Sequence, residues 1–572
     1  MASEPASAVG PGARPPHRLL LAVCCLAQFM VILDVAIVNV ALPSIQVSLR
    51  FSETDLQWVV NAYTITFAGF LMLGGRAADL FGQRRTFVSG LLVFALASLM
   101  GGTAGSQAVL VGARALQGFG GAMMAAASLA IITSSFAAGP ERHRAIGLWG
   151  AMNGAGGAAG TLLGGVITEE LSWHWILLIN LPIGIAAAVA ARLIVAEHRG
   201  RIDWSSFDIG GALAITGGML ALVYGIVSAG SDGWGALEAL GPIVLGVTLL
   251  GAFAVIEGRL APTPLVPLRV FRASQMRTAD AVVLLFSAAL FPMWYFTSLY
   301  LQKVLHMPPL GAGLAFLPMA LTIMACATRA GSLVARVGVR QVLGIGLLLM
   351  AAGMALFGAL IEVNGSYGAD VLLPGLLMST GIGFAVVPST IAATAAAGPQ
   401  EAGLASGLVN TSRQMGGALG LAILASLAAQ YTSHLLNSDY QTPLIALTNG
   451  FRLAYLLGAV FVAAAAVVTF RYIPRLPAPA APAAPQPPAE PQAPAEPQAP
   501  AEPQAPAEPQ TAAPSAPRSQ PPEPSARPRA AHVSIERGAI AVTFSVLGGG
   551  HWPLAANYSS TIPVSPSKSR RA

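Results

Sequence analysis

The chain has 572 residues, of which 55% are hydrophobic and only 10% charged, with a formal net charge of +6 and a mean hydropathy of +0.66. A soluble globular chain carries roughly 25% charged residues, so this one has too little charge to be covered by water and enough apolar surface to be covered by lipid. In such a chain excess arginine marks the loops on one side of a bilayer rather than a nucleic-acid footprint, and three cysteines inside apolar runs (Cys24, Cys25, Cys326) form neither a disulfide framework nor a zinc spacing.

Residues 1–18 are polar and rich in Pro and Gly, with Arg14 and Arg18 ahead of the first apolar run; that run is too long for a signal-peptide core and is read as a retained span. A membrane helix needs about 20 predominantly apolar residues. Runs of that length predict fourteen spans, near 19–42, 57–75, 86–103, 108–133, 145–167, 175–194, 208–229, 238–256, 279–301, 311–334, 341–361, 369–392, 403–430 and 451–470. The loops support this count. Arginines recur in alternate connections (Arg76, Arg84 and Arg85; Arg142 and Arg144; Arg199 and Arg201; Arg259, Arg269 and Arg272; Arg336 and Arg340; Arg471 and Arg475), while the others hold acids such as Glu53, Asp55, Glu169, Glu170, Asp232 and Asp370. By the positive-inside rule the arginine loops and both termini are cytoplasmic.

The first span, "FMVILDVAIVNVALP" (Phe29–Pro43), carries a full acid, Asp34. A carboxylate at the centre of a membrane helix costs about 2.5–3.5 kcal/mol on insertion scales, so it implies a function and a partner. Asp34 shares a helical face with Ala27, Met30, Val31, Val38 and Ala41, while Asn39 points elsewhere and is read as a packing amide. The partner predicted is Arg114 in "LVGARALQGFGGA" (Leu110–Ala122), at similar depth on the fourth span, with Gln117 and Gly118 one turn on. Burial favours the neutral acid and a neighbouring guanidinium the carboxylate, so a pair meeting around a wet cavity is suited to taking up and releasing a proton. A purely structural ion pair is the alternative, although such pairs rarely stabilise more than apolar packing does.

Between the second and third spans stands "GRAADLFGQRR" (Gly75–Arg85), and after the tenth "GSLVARVGVRQ" (Gly331–Gln341). Both read G-x6-G-x-R: Gly75, Gly82 and Arg84 against Gly331, Gly338 and Arg340. The copies fall at corresponding places in two six-helix blocks if the seventh and eighth spans are an insert, which gives a six-plus-two-plus-six plan around a midplane site. So tight a loop needs glycine where φ is positive. Asp79 is read as lying near the start of the third helix, favoured by its dipole; a topology anchor alone is the simpler reading of the loop. Further charges inside spans are Arg413 in "NTSRQMGGALG" (Asn410–Gly420), flanked by Asn410 and Gln414 and read as a second-half cavity group, and Asp280 and Arg329, read as snorkelling near helix ends. After Arg475 comes a Pro-rich tail with the repeat "PAEPQA" between Ala478 and Gln510; proline at this density makes an extended spacer rather than a core. One later apolar patch, Ala539–Leu547, is too short to span.

Taken together these residues resemble the major facilitator superfamily, in particular its fourteen-span drug:proton antiporter branch. The first-span motif "LDVAIVNVALP", the loop motif at Gly75, Asp79, Gly82, Arg84 and Arg85, and the fourth-span motif at Arg114, Gln117, Gly118 and Gly120 carry the likeness. So do "GGAAGTLLGG" (Gly156–Gly165), which resembles the antiporter motif and has its glycines at Gly156, Gly160, Gly164 and Gly165, "WHWILLINLPIG" and "ASGLVNTSRQMGGALG". One departure is Thr161, where the family's usual residue is proline. The resemblance covers roughly residues 18–472 and implies an all-α membrane fold: a six-helix half (19–194), a linker with two extra spans (195–278) and a second six-helix half (279–472); outside it stand a cytoplasmic N-terminal segment (1–18) and a tail (473–572) whose composition predicts a disordered cytoplasmic extension. It implies a multi-pass plasma-membrane protein, monomeric, that binds a small-molecule substrate and protons, contacts the lipid bilayer but no nucleic acid, and uses no cofactor or metal. Asp34 and Arg114 would couple protons, the Gly75–Arg85 loop would latch the cytoplasmic side, and the fifth span would set the packing that favours export. Gln117, Asn410, Arg413 and Gln414 are the substrate-cavity candidates. The expected function is proton-driven efflux of small lipophilic or cationic compounds by alternating access, with no covalent step and no enzyme chemistry. A proton-linked uptake symporter, which would want a denser set of polar cavity groups, and a membrane sensor using the tail are the alternatives.

Overall fold

The computed structural model describes residues 17–136, 139–197, 208–261, 264–266, 268–397, 402–437 and 442–474. Arg14, Arg199, Arg201, Arg475, the Pro-rich repeat and Ala539–Leu547 lie outside the described residues. Long helices follow in the expected order: α1 (His17–Leu49), α2 (Trp58–Phe81), α3 (Gln83–Gly102), α4 (Gln107–Ser135), α5 (Pro140–Glu170), α6 (Asn180–Ile194), α7 (Ile209–Asp232), α8 (Leu237–Val255), α9 (Ser274–Leu299), α10 (Pro309–Val337), α11 (Val339–Leu360), α12 (Leu373–Ala397), α13 (Ala402–Leu436) and α14 (Pro443–Tyr472). Among the described residues 13 helical segments are long and apolar enough to cross a membrane. The remaining helix is α5, whose glycines and Asn153 dilute its hydropathy. Most helices extend past the sequence-predicted span ends, because polar residues that hydropathy excludes continue the backbone hydrogen bonding into the interface.

Two six-helix groups emerge from the packing. In the first, α1 lies on α5, and α4 lies between α2 and α3; in the second, α9 lies against α13 and α14, and α11 against α12 and α14. The groups meet through α5 against α10 and α2 against α13, so the second helix of each group packs on the fifth of the other. This exchange is the spatial form of the repeat read in the two loops. Gly82 and Gly338 take nearly the same positive-φ backbone, φ 101° with ψ 138° and φ 91° with ψ 156°, each as the single residue between two helices. A Cβ is strained there.

The other halves of the loop motif need correction. Gly75 and Gly331 are helical with open space where a Cβ would stand, so neither is required by conformation or packing. Asp79 belongs to the last turn of α2, not to the start of α3. Helices α7 and α8 form a hairpin, and α7 fills the gap beside α2 and α13. On α8 only Ala239 and Gly246 are buried, and Leu237, Val244 and Val247 are exposed, as suits a lipid-facing helix.

Candidate functional site

The side chains of Asp34 and Arg114 meet inside the first six-helix group. Asp34 is 0% and Arg114 1% exposed, and Arg114 Nη1 donates to Asp34 Oδ2 at 2.5 Å. The pair is embedded in a fixed network. Gln117 Nε2 donates to Asp34 Oδ1 at 2.7 Å and Asn180 Nδ2 donates to the same oxygen at 3.0 Å. Arg114 also donates from Nε to the Val59 carbonyl (3.0 Å) and from Nη1 to Gln117 Oε1 (2.6 Å), and its guanidinium lies 4.5 Å over the Tyr63 ring. Ser98 Oγ accepts from Gln117 at 2.7 Å. A buried ion pair is tolerable only when its remaining donors and lone pairs are satisfied, and α1, α2, α3, α4 and α6 each supply a group that satisfies them here.

Sequence reasoning found the acid and the base but not Asn180, Ser98 or Tyr63. Asn180 is the amide inside "WHWILLINLPIG", where an Asn in an apolar run was the available signal. Gln117 belongs to this network and not to the cavity, which corrects its assignment as a substrate-cavity residue. Nor does the pair surround a wet hollow: the stacked rings of Tyr63 and Phe67, 5.9 Å apart, stand beside Arg114, and of these only Phe67 lines the cavity.

That cavity, about 1340 Å³, lies between the two helix groups. It reaches the arginine-bearing face at Gly75, Arg76, Asp79 and Thr133, and ends in mid-bundle at Asn39, Thr161, Phe291 and Phe316. Asn410, Arg413 and Gln414 line it, as read from the sequence. Asn39, read as a packing amide, lines it too, together with Gln28 and Asn153, which donate and accept a 3.0 Å hydrogen bond between α1 and α5. Asp280 does not snorkel: it is 7% exposed and accepts from Ser412 Oγ at 3.3 Å, whereas Arg329 turns its guanidinium to the Ala325 carbonyl on an exposed surface.

Past the cavity the groups are clasped. Ser298 Oγ donates to the Asn39 carbonyl (2.6 Å), Gln302 to the Val40 carbonyl (2.8 Å), Lys303 pairs with Glu53 (2.5 Å), and Glu169 accepts from the Leu310 amide (2.8 Å). The antiporter-motif glycines permit this approach. A Cβ on Gly156, Gly160 or Gly164 would press on α1 between Phe29 and Val40, and one on Gly165 would stand 2.8 Å from Leu310 Cα. Thr161 leaves α5 continuous, and its carbonyl lies 2.5 Å from where a Cβ of Gly313 would sit.

The loop-motif arginines engage the end of α6 rather than the other helix group. Arg84 Nε donates to Glu197 Oε2 at 3.1 Å, Arg85 stands 3.6 Å from the same oxygen, and Arg84 also donates to the Val195 carbonyl at 3.4 Å. Glu197 is 11% exposed at its side chain and was not foreseen. Because both arginines are partly open to solvent (35% and 56% exposed at their side chains), these pairs are worth about 0–1 kcal/mol, and Glu197→Gln is expected to leave the fold intact, read as an unchanged thermal unfolding midpoint in detergent.

Two six-helix groups related by an internal repeat, joined on one side of a midplane cavity and parted on the other, define the class of membrane transporters that work by alternating access. The sequence pattern described as "Major Facilitator Superfamily" matches residues 24–421 and again 330–552, and the chain belongs to that family. It is 41% identical over 416 residues, 72% of this chain and 85% of the relative, to the cephamycin export protein CmcT of Amycolatopsis lactamdurans. It is 40% identical over 466 residues, 81% of this chain and 92% of the relative, to the puromycin resistance protein pur8 of Streptomyces alboniger. Among solved structures, a peptide transporter POT in complex with sulfate shares the fold, with a TM-score of 0.59 at 15% identity over 81% of this chain and 97% of that one.

Proposed function

We propose that this chain exports small lipophilic or cationic compounds, antibiotics among them, across the plasma membrane by alternating access, driven by inward proton flow. The export and resistance proteins it resembles support the direction and the kind of cargo. The observation that carries the coupling is the fully buried Asp34–Arg114 pair on α1 and α4. Asp34 sits on the helix whose other side, at Ile32, Ala36 and Asn39, lines the cavity. One helix therefore bears the proton site, part of the cargo wall, and the clasp to α9 through the Asn39 and Val40 carbonyls. Protonating Asp34 removes one charge of the pair and frees Arg114 to hold its other acceptors alone. The seat of α1 against α4 then changes, and with it the clasp.

With the arginine-bearing face cytoplasmic, the cavity described is the inward-facing one and the clasped face is external. The Gly75–Arg85 segment, drawn to α6 in this state, would latch the cytoplasmic side in the other. The segments 19–194 and 279–472 are the moving halves, 195–278 is the insert, and a monomer suffices because each half supplies one wall. No bond of the cargo is made or broken, so the protein is a transporter and not an enzyme. The test is the direction of flux: in proteoliposomes of fixed orientation, an acid lumen on the clasped side should drive the dye ethidium toward that lumen. Movement of dye and protons in the same direction would make the protein an uptake symporter instead.

A further inference from the structure

The cavity wall is unbalanced in charge. Its ionisable residues among those described are Arg76, Arg269, Arg413 and a single acid, Asp79. Arg76 and Asp79 lie one helical turn apart on α2, where opposite charges offset each other. Arg413 is different. It lies about 16 Å along α13 from Ala402, deep within a hydrocarbon layer about 30 Å thick. Its Nε and Nη2 are inaccessible atoms without a hydrogen-bond partner, and no carboxylate among the described residues stands within ion-pair distance. Asp280 comes near only through Ser412, the neighbour of Arg413 on the same helix, and its own Oδ2 is likewise without a partner.

An uncompensated guanidinium inside a membrane protein is costly, while Asp34–Arg114 shows how completely this chain satisfies a buried arginine when the role is internal. Arg413 lines the cavity, so a turn of its side chain that brings Nε and Nη2 to face it lets a group in the cavity supply the missing partner. Asn410 and Gln414, beside Arg413 on the same helix, offer further donors, and Trp294, Phe291 and Phe316 form an aromatic wall. We infer that Arg413 is the recognition site for an acidic group on the cargo, and that the preferred cargo is an aromatic or otherwise apolar body bearing a carboxylate. The inference rests on the export reading above and takes the lipophilic rather than the cationic part of its cargo range; planar, two-pronged carboxylate binding is what a guanidinium provides and an ammonium does not.

The experiment compares 1-pyrenebutyrate with its uncharged methyl ester. Binding is read on the full chain in lipid nanodiscs by quenching of tryptophan emission, since Trp149 and Trp294 line the cavity. The wild type should bind the acid at least about tenfold more tightly than the ester, the ratio that one charge-assisted hydrogen bond supplies. Arg413→Gln should bring that ratio to about one, and Arg413→Lys should keep part of the preference. Equal affinities in the wild type overturn the inference. So does an equal loss of both probes in Arg413→Gln that Asp280→Asn reproduces, for Arg413 would then serve Asp280 and not the cargo. In everted vesicles, gradient-driven export of the ester without preference for the acid overturns the acidic-cargo inference alone. Export of neither overturns the export reading with it.

Discussion

Asp34→Asn is expected to abolish export driven by a pH gradient while leaving cargo affinity as it is in the wild type. Asn is nearly isosteric with Asp, and its carbonyl oxygen keeps an acceptor for Gln117 and Asn180, which in the native chain both donate to Oδ1. What it lacks is a proton to gain and lose. The amide also turns a donor toward Arg114 Nη1, so the guanidinium loses its counter-charge. Breaking a buried pair by removing one partner costs about 3–5 kcal/mol. Here the Val59 carbonyl, Gln117 Oε1 and the Tyr63 ring remain to hold Arg114, and the loss is offset in part. Arg114→Ala is harsher: Gln117 and Asn180 still donate to Oδ1, but Oδ2 loses its donor and the acid its counter-charge in a site with no accessible surface, and poor membrane insertion is the expected outcome. Asp34→Glu keeps a titrating acid at the cost of one extra methylene and should retain slow, uncoupler-sensitive export. The measurement is dye accumulation in everted vesicles with and without an uncoupler, beside cargo exchange in the absence of a gradient. Asp34→Asn should exchange and not accumulate. Accumulation at the wild-type rate and still sensitive to uncoupler would remove Asp34 from the coupling step.

How much of this site could be read from the chain alone depended on what one helix can reveal about its neighbours. An acid in an apolar run announces itself by its cost, and the depth of Arg114 on the neighbouring span made it the natural partner. The periodicity of α1 also separated Asn39 from the Asp34 face correctly. Periodicity does not say which face of a helix looks into the cavity, so it makes Asn39 on α1 a packing amide and Gln117 on α4 a cavity residue, each the reverse of what the bundle does. Asn180, Ser98 and Glu197 escaped because their roles are set by helices distant in sequence, with no spacing to betray them. The fourteen-helix plan was legible because two independent signals, apolar run length and arginine alternation, had to agree. The second of these is what retains α5, whose composition falls short by hydropathy. Gly75 and Asp79 were misplaced for a simpler reason: α2 continues through most of what the sequence suggests is a loop, and only Gly82 breaks it.

Gly160→Val is expected to uncouple the transporter although residue 160 touches neither cargo nor proton. A Cβ at Gly160 would stand 2.7 Å from Ala36 Cβ and 2.8 Å from the Leu33 carbonyl oxygen, and its neighbours in the motif reach the same helix at Phe29 and Ile37. Those are the residues on either side of Asp34. The glycine face of α5 is therefore the surface against which the acid-bearing turn of α1 is held while the opposite edge of α5, at Gly165, meets α10 across the clasp. Overpacking so close a helix contact costs about 1–3 kcal/mol, and the backbone atoms of α1 have no rotamer by which to yield. The helices must separate instead. With α1 displaced, Asp34 shifts relative to Arg114 and Gln117, and the Asn39 and Val40 carbonyls shift relative to Ser298 and Gln302, so both the buried pair and the clasp loosen together. Dye export should fall, and protons should leak through vesicles in the absence of cargo. Gly160→Ala should show the same two changes in smaller degree. Proton leak is followed with a pH-sensitive dye in the lumen after an acid pulse, and clasp opening by thiol labelling of Leu310→Cys in a chain without Cys24, Cys25 and Cys326. If Gly160→Val lowers export and the vesicles remain proton-tight with Leu310→Cys as protected as before, the glycine face serves folding alone and takes no part in joining the two sites.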